Sequence, residues 1–547
     1  MKKVTTRKSS NIGSIVAFVL AVALMLACFT GCGDSGNQPA GTTPPPANTG
    51  TEPSPTAPAT EATKVVVGLN NDPQNIGPFQ GMSAGRIGVL FTMYEFLAVL
   101  EGGEMYGVIM KDYEKIDDLT YNCEIYDYVY DHNGNQVKAS DVAFSYNTAK
   151  EIGNLPKLGS IESITPVSDY VVQFKFDNLA IGDLGALWME CPIVTQASYE
   201  ASPDGMATKP VSTTAFACTD FVSGSKMVFT NTGNYWQTDE SKIRNTSKHN
   251  VDTIEFDIIP DPAQLTNALK TGAIDVTNWL SDVDVVDFVG VPGFDVSPVP
   301  DNLTYYLVFN CDEKYGAFKD NEKLRQAFCY AVDSRQIIDG AFNGNGNVAK
   351  TIGNTNYSDF VMAWQNEDYY ETDINKAKEL LAEADGDGLS INLMIVANDV
   401  NARIAAILQQ QLSQIGVNVN IVQYDNQLYN EYKSDQPDQW DLMLDQGAST
   451  SFLVNVWKLG WDNHGFVHGG AVNFVKDDEL QSLLEVAMDV DKHNESSMDA
   501  FHQYLKEKAY GYGLLQSMTN IAHTDIITEI VVDARGQVTP GACGYAF

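Results

Sequence analysis

Two stretches of the chain follow a strand, helix, strand order, and this pattern constrains the fold more than any other feature of the sequence. In the first stretch, Val251–Ile259 alternates apolar and polar residues, as a half-buried strand does. Asp261-Pro262 then marks the start of a helix, because Asp caps helices and Pro suits their first position. Gly272 marks the end of this helix, and Ile274–Val276 begins the next strand.

The second stretch repeats this order in the last third of the chain. Ser390–Val396 is a predicted strand, Gly416 ends the helix that follows, and Val417–Ile421 alternates as the returning strand. The helix carries its apolar residues on one face, namely Ile404, Ile407, Leu408, Leu412 and Ile415. Such a unit implies a right-handed parallel crossover. We therefore predict an α/β protein with two lobes and a ligand cleft between them, close to the carboxyl ends of the strands.

The first 31 residues have the character of an export signal. Basic residues come first (Lys2, Lys3, Arg7 and Lys8), and the apolar run Ile12–Phe29 follows. The run ends in Phe29-Thr30-Gly31-Cys32, which is similar to a bacterial lipobox, so Cys32 is the predicted acylated residue of the mature chain. Cys28 is a second candidate, and an uncleaved membrane helix stays an alternative because the apolar run is long enough to span a bilayer.

Residues 32–63 lack apolar periodicity and are rich in Pro and Thr, a composition that favours an extended, solvated chain. We expect them to tether the folded part to the lipid anchor. The predicted location is the extracellular face of a bacterial cell membrane, and the predicted partners include a protein in that membrane.

Length and charge narrow the class of protein further. A chain of 547 residues is too long for one core, so two or three lobes are expected. Its net charge of −37 argues against nucleic-acid binding and against lying flat on an anionic membrane. The charge suits a well-solvated secreted protein.

Enzyme and metal motifs are not found. The sequence contains no Gly-x-Ser-x-Gly and no His-Glu-x-x-His. His464 and His468 have i, i+4 spacing but lie among glycines, where a helix is not expected, and Asp385-Gly386-Asp387-Gly388 lacks the distal Glu of a calcium loop. We therefore predict a protein that is not an enzyme, with no catalytic residues, no metal site and no cofactor.

An ordered set of segments resembles one family. The segments are Asp131–Ser145 (a hairpin followed by a helix), Asn231–Trp236, Val251–Val276, Phe309-Asn310, Phe318–Asp320, Leu324–Ala327, Asp333–Arg335, Asp373–Ala384 and Ala402–Ile421. Together they resemble the extracellular solute-binding proteins of the dipeptide, oligopeptide and nickel class (family 5, cluster C), which serve ABC importers.

The resemblance implies a type II periplasmic-binding-protein fold with an extra domain inserted in the first lobe. It places domain Ia at residues 64–97, 209–303 and 520–547, domain Ib at 98–208, and domain II at 304–519. It also implies that the lobes close on a ligand and that an ABC permease recognises the closed form.

The ligand is less defined than the fold. Peptide-binding relatives carry, in a Trp-x-x-Asp-Tyr-like loop, an Asp that pairs with the amino end of the ligand. The corresponding stretch here, Trp440–Phe452, is shorter and lacks that Trp, and Asp445 is the candidate substitute. We expect an oligopeptide ligand. The alternatives are a non-peptide solute (an oligosaccharide, a metal chelate or another small molecule) and a surface sensor without transport.

Further candidate ligand-binding residues follow from residue type and position. Trp279, Trp364, Trp457 and Trp461 could wall the cleft or could pack in the core. Asn71, Asp72, Asn398 and Asp399 follow predicted strands, where ligands bind, although the same residue types also form turns.

Overall fold

The computed structural model of the protein describes residues 63–81, 84–281, 283–449, 452–462 and 471–547. Several predictions lie outside these residues: the signal peptide, the tether as far as residue 62, the acylation candidates Cys28 and Cys32, and the pair His464 and His468. The described residues fall within one unit of contacts, Glu61–Phe547.

Strands and helices alternate along the described part of the chain. The strands are β1 (Lys64–Leu69), β2 (Ala98–Glu101), β3 (Glu104–Gly107), β4 (Met110–Asp117), β5 (Thr120–Ile125), β6 (Ile161–Pro166), β7 (Val171–Phe176), β8 (Phe216–Val222), β9 (Lys226–Asn231), β10 (Thr253–Ile258), β11 (Val276–Thr277), β12 (Phe294–Phe309), β13 (Gly346–Val348), β14 (Ser390–Val396), β15 (Asn418–Tyr424), β16 (Leu442–Gly447), β17 (Gly511–Thr524), β18 (Ile527–Glu529) and β19 (Gly544–Tyr545). The helices are α1 (Ala84–Ile87), α2 (Leu90–Met93), α3 (Ala139–Ile152), α4 (Asp183–Trp188), α5 (Gln196–Ala201), α6 (Pro262–Lys270), α7 (Glu322–Ala331), α8 (Ser334–Ala341), α9 (Ile374–Glu383), α10 (Asp399–Ser413), α11 (Asn426–Asp435), α12 (Leu453–Trp461), α13 (Asp478–Met488) and α14 (Glu495–Lys508).

Both predicted β-α-β units are present, and local signals explain why. β10 and β11 each pair in parallel with β1, and helix α6 connects them. Asp261 caps α6 by accepting a hydrogen bond from Gln264 N at 2.9 Å. β14 pairs in parallel with β15, and α10 connects them with Ile404, Leu408 and Leu412 buried against the sheet. The α/β fold class predicted from the sequence is confirmed.

Two long strands join the lobes. The main sheet has the order β15-β14-β16-β12-β17-β11-β1-β10-β9-β8, so β12 and β17 lie side by side with three strands on one side and five on the other. We call the part with β1–β11, β18, β19 and α1–α6 lobe I, and the part with β13–β16 and α7–α14 lobe II. Each lobe has a large hydrophobic core of its own. The chain therefore has the two-lobed type II architecture, and the paired strands β12 and β17 pass from one lobe to the other.

The inserted part of lobe I is a small antiparallel sheet in the order β4-β5-β7-β6, with the hairpin β2-β3 beside it. It shares the hydrophobic core of lobe I. Two of the predicted domain boundaries, at residues 303/304 and 519/520, fall within β12 and β17. The exact division into domains Ia, Ib and II stays a prediction.

The described residues include neither a membrane-spanning helix nor a cluster of metal-ligating side chains. Within these residues, no helix combines the length and the apolar character needed to cross a bilayer. The same residues contain no group of three or more His, Cys, Asp or Glu side chains placed to hold a metal ion.

Candidate ligand site between the lobes

A cavity of about 480 Å³ lies beside the two strands that join the lobes, and we call it the hinge cavity. Lobe I contributes Lys157, Asp183, Ala186 and Arg535, the joining strand β12 contributes Asp301 and Asn302, and lobe II contributes Ser449, Asn455 and Lys458. Its volume is in the range of sites that hold small ligands. Side chains from both lobes and from the strand between them therefore surround one space.

Asn302 lines the hinge cavity and is hydrogen-bonded to residues of both lobes. It has a φ of 62°, a left-handed conformation that Asn tolerates better than most residues. Its Nδ2 donates to Ala534 O of lobe I at 2.9 Å, and its backbone oxygen accepts from the Tyr357 hydroxyl of lobe II at 2.9 Å. The same hydroxyl accepts from Ser449 N at 2.8 Å. One residue of the joining strand thus positions cavity-lining segments of both lobes.

Arg535 reaches the hinge cavity from a tight turn in lobe I. The Asp533 carboxylate holds this turn, because its Oδ1 accepts from Arg535 N at 2.8 Å and from Gln537 N at 3.0 Å. Burial raises the pKa of Asp533, and the charge of Arg535 partly offsets this rise. The guanidinium carbon lies 5.3 Å from the centre of the Phe91 ring. The position of the Arg535 side chain is therefore built into the fold.

Helix α12 supplies the wall from lobe II. Asn455 and Lys458 lie one turn apart on this helix and line the hinge cavity. Lys458 Nζ lies 3.2 Å from Asp183 Oδ2 of lobe I. The ion pair is partly exposed, so its contribution to stability is small, but it joins the two lobes directly.

Asp359 fixes the start of helix α12. Its Oδ1 accepts from Leu453 N at 2.6 Å, and its Oδ2 accepts from Val454 N at 3.1 Å. Burial raises the pKa of Asp359, although these hydrogen bonds and the nearby His493 favour the charged form. Asp359 thus anchors the helix that brings Asn455 and Lys458 to the hinge cavity.

A second and larger space, which we call the outer cavity, measures about 870 Å³. Its wall is largely apolar, with Leu100, Met105 and Leu184 from lobe I and Phe360, Phe452 and Met498 from lobe II. Asp359 and His493 also line it. His493 Nδ1 lies 2.7 Å from Ala487 O, so these two polar side chains are engaged within lobe II.

Helix α4 and the preceding residues 178–182, which we call the divider, separate the two cavities. Asp183 and Ala186 line the hinge cavity, whereas Leu184 lines the outer cavity. The divider is bonded to lobe II at Lys458 and also through Ile181 N, which donates to Met488 O at 3.1 Å. This short segment of lobe I therefore partitions the space between the lobes.

Comparison with known proteins identifies the family. The model of the "Bacterial extracellular solute-binding proteins, family 5 Middle" matches residues 104–460. The chain belongs to this family. It is thus a solute-binding protein, and the resemblance predicted from the ordered segments is confirmed.

Individual relatives are distant in sequence and similar in fold. The dipeptide-binding protein of Escherichia coli K12 is 25% identical over 396 residues, which cover 66% of this chain and 69% of the relative. The oligopeptide-binding protein AppA of Bacillus subtilis 168 is 23% identical over 466 residues, covering 77% and 76%. The structure of AppA with a nonapeptide has a TM-score of 0.66, with 19% identity over 89% of this chain and 100% of that one. HbpA2 of Haemophilus parasuis has a TM-score of 0.76, with 18% identity over 88% of this chain and 100% of that one.

Asp445, the predicted substitute for the amine-pairing Asp, is engaged inside lobe II of this solute-binding protein. Its Oδ2 lies 2.5 Å from Lys433 Nζ and 3.2 Å from the Tyr306 hydroxyl, and its Oδ1 accepts from the Tyr429 hydroxyl at 3.2 Å. The residue is 6% exposed. The structure therefore corrects the expectation: the Asp445 carboxylate is the counter-ion of a buried lysine and does not line the hinge cavity or the outer cavity.

Three of the four predicted tryptophans lie in the core of lobe II. Trp364, Trp457 and Trp461 are fully buried and do not line either cavity. Trp364 Nε1 donates to Asp499 Oδ1 at 2.9 Å, and Trp457 Nε1 donates to Ile352 O at 3.0 Å. This burial corrects the expectation of cleft walls and favours the packing interpretation that the sequence had left open.

Trp279 lies nearer the site. It is half-buried beside Gly88, and the neighbouring Asn278 donates to Gln537 Oε1 of the hinge cavity at 3.0 Å. A role for Trp279 at the edge of the site stays a prediction.

The polar residues after the strands form turns and caps. Asp72 Oδ1 accepts from Gln74 N at 2.8 Å, and Asn71 donates to Asn70. Asn398 caps α10 by accepting from Asn401 N at 2.8 Å, and Asp399 is the first residue of that helix. Asn71, Asp72, Asn398 and Asp399 do not line the hinge cavity or the outer cavity. The turn interpretation therefore accounts for all four.

Sequence reasoning missed the residues that do line the hinge cavity from both sides, above all Arg535 and Asn455. A local signal existed for the first: Asp533-Ala534-Arg535-Gly536 has the composition of a tight turn, which displays its third side chain. Asn455 lies just beyond the shortened loop that was singled out, so extending that segment by one helical turn would have included it.

Proposed function

We propose that this protein captures an oligopeptide in the hinge cavity by closure of its lobes and delivers it to an ABC importer. The acylated Cys32 would hold the protein at the extracellular face of the bacterial membrane, which the basic, apolar and small-residue pattern of residues 1–32 supports. The ligand is released unchanged, without a chemical step.

One observation carries this proposal: the hinge cavity is surrounded by both lobes and by the strand that joins them. A ligand that contacts both lobes at once binds the closed form more tightly than the open form. Binding therefore shifts the protein toward the closed form, and a permease can distinguish the loaded receptor by its shape.

The relatives support a peptide as the ligand class. The Escherichia coli relative is named for dipeptides, the Bacillus subtilis relative AppA is named for oligopeptides, and the structure of AppA contains a nonapeptide. The hinge cavity has room for a short peptide, and the outer cavity beyond the divider offers an apolar space for the side chains of a longer one.

A non-peptide solute is the second candidate. Asp445, the candidate substitute for the amine-pairing Asp, forms an ion pair with Lys433 and is therefore not available to a ligand. A desolvated ammonium needs a carboxylate partner, and this observation favours ligands that are not held by an amino end.

The experiment uses calorimetry with peptides of two to nine residues, and with oligosaccharides and metal chelates as competing classes. Two variants on the same short helix form a matched pair: Ala186→Trp fills the hinge cavity, and Leu184→Trp fills the outer cavity. We expect A186W to weaken binding of every ligand by at least about tenfold because it occupies the shared space, and L184W to leave dipeptides and tripeptides bound within about threefold.

Equal losses in the two variants would place the ligand elsewhere. Tight binding of an oligosaccharide or chelate with no peptide bound would decide for the second candidate. Mass spectrometry of the ligand after incubation checks that it is returned intact, and a changed mass would contradict the proposal of capture without chemistry.

A further inference from the structure

Two buried polar groups in the hinge cavity have no partner in the described part of the chain. They are Nη1 of Arg535, from lobe I, and Oδ1 of Asn455, from lobe II. Buried polar atoms of folded proteins are almost always hydrogen-bonded, and an exception calls for an explanation. Here the two exceptions line one cavity and come from opposite lobes.

The outer cavity makes the contrast clear. Among the described residues, no buried polar side-chain atom of its lining lacks a hydrogen-bond partner. Of the two cavities, only the hinge cavity is therefore lined by buried side-chain atoms that lack a partner in the described residues.

Arg535 is held in place, and within the described residues its side chain has no direct ion pair. The Asp533 turn and the bond from Asn302 to Ala534 O fix its backbone, and Phe91 supports its guanidinium. Within the described residues, the guanidinium forms no ion pair with a carboxylate and donates no side-chain hydrogen bond. The Asp533 carboxylate stabilises this charge through space, but the planar guanidinium donors themselves can still pair with a carboxylate of a ligand.

We infer that Arg535 binds a carboxylate of the ligand and that Asn455 binds an adjacent amide of it, so that the carboxyl end anchors the peptide in this receptor. This inference rests on the function proposed above and adds the orientation of the ligand. An amide beside a carboxylate is the chemistry of the last residue of a peptide. Since the two protein groups belong to different lobes, one end of the ligand satisfies both and draws the lobes together.

The test compares one peptide in three forms: with both ends free, with its carboxyl end amidated, and with its amino end acetylated. Amidation should weaken binding to the parent protein by about 10- to 100-fold, because it removes the charge that Arg535 pairs with, whereas acetylation should change affinity by less than about threefold. Arg535→Gln should bind the free and the amidated peptides equally, and Asn455→Leu should weaken both.

The matched control is Arg335→Gln, which removes an exposed arginine that pairs with Asp339 at 2.9 Å on helix α8 of lobe II. It should bind like the parent. The ligand-free R535Q variant should melt close to the temperature of the parent, because within the described residues the guanidinium forms no direct ion pair and donates no side-chain hydrogen bond. A lower melting temperature, with equal loss of affinity for free and amidated peptides, would show a structural role for Arg535 and overturn the inference.

The remaining outcomes separate the inference from the proposed function. If the parent binds free and amidated peptides equally, the inference is wrong and peptide capture stands. If no peptide binds but N-acetyl amino acids bind and R535Q loses them, peptide capture is wrong and the carboxylate site stands. If neither class binds, both are wrong.

Discussion

The hinge cavity and the outer cavity lie on either side of one short helix and differ in how their polar groups are used. In the hinge cavity, Arg535 and Asn455 present buried atoms that nothing in the described residues satisfies. In the outer cavity, Asp359 caps helix α12 and His493 bonds to a backbone oxygen, while most of the wall is apolar.

This difference suggests that the hinge cavity discriminates between ligands, whereas the outer cavity tolerates different ligand side chains. An unsatisfied polar atom discriminates between ligands, because a wrong ligand leaves it unpaired. An apolar wall whose polar groups are already bonded accepts many side chains with small differences in affinity.

Substitution of Asp445 has the largest expected effect, and it tests whether residues behind the wall of the hinge cavity contribute to ligand binding. It lies in β16, the strand that leads into the Ala448–Ser449 wall of the hinge cavity, but its carboxylate pairs with Lys433 inside the lobe. Asp445→Ala should lower the free energy of unfolding by about 3–5 kcal/mol, because it leaves the buried ammonium without its carboxylate. Chemical denaturation measures this loss.

Ligand affinity of the same variant, measured below its melting temperature, should stay within about threefold of the parent. The opposite result, lost affinity with unchanged stability, would return Asp445 to the ligand site and extend recognition behind the cavity wall.

The wall of the outer cavity depends on a buried histidine. Phe360 of this wall packs on Trp364, which stacks on His502 with 4.3 Å between ring centres. Burial lowers the pKa of His502 to about 4. Since the unfolded value is about 6.5, the stability that neutral His502 contributes is fully present above pH 6.5 and is lost as the pH falls toward 4.

Between pH 7 and pH 4, the free energy of unfolding of the parent should fall by about 2–3 kcal/mol more than that of His502→Gln, because glutamine is not protonated in this range. Denaturant titrations at each pH measure the difference, with His249→Gln of lobe I as the control. Parallel pH profiles for the parent and H502Q would show that this histidine does not determine the acid sensitivity of the wall.

Breaking the ion pair between the divider and lobe II should have the smallest effect on stability and ligand affinity. Lys458→Met removes the ion pair with Asp183 across the lobes, a partly exposed pair worth about 0.2–1 kcal/mol. Ligand affinity should fall by about two- to fivefold, and small-angle scattering of the ligand-free protein should show a larger radius of gyration. Lys323→Met, which breaks the exposed pair with Glu383 within lobe II, is the control. Identical scattering for K458M and K323M would mean that the pair does not contribute to closure.

The fold was readable from the sequence where the signals are local. The strand Ser390–Val396 has the predicted bounds, and Asp261 caps α6 as its position before Pro262 predicts. The candidate site was not readable in the same way. Trp364 and Trp457 have the residue type of a cleft wall, but burial depends on contacts with distant residues such as Asp499 and Ile352.

Arg535 and Asn455 show the converse case, in which residues of the candidate site could not be recognised from the sequence. Each is ordinary in its local sequence, and each becomes informative because the fold brings it to a shared space and leaves it unpaired. A hydrogen bond that is missing cannot be seen in a sequence, since it is a property of everything that surrounds the atom.

The two strands that join the lobes define how this protein can move. The antiparallel pairing of β12 with β17 shifts register between Pro300 and Thr304, and Asn302 lies within that interruption. A ribbon of two strands twists most easily where its ladder is broken, so we expect the lobes to rotate against each other at this interruption, beside the hinge cavity. A small rotation at the joining strands displaces the distant edges of the two lobes by a much larger distance. An importer that touches both rims would therefore detect an occupied site from the distance between two surface points, whatever the sequence of the peptide inside.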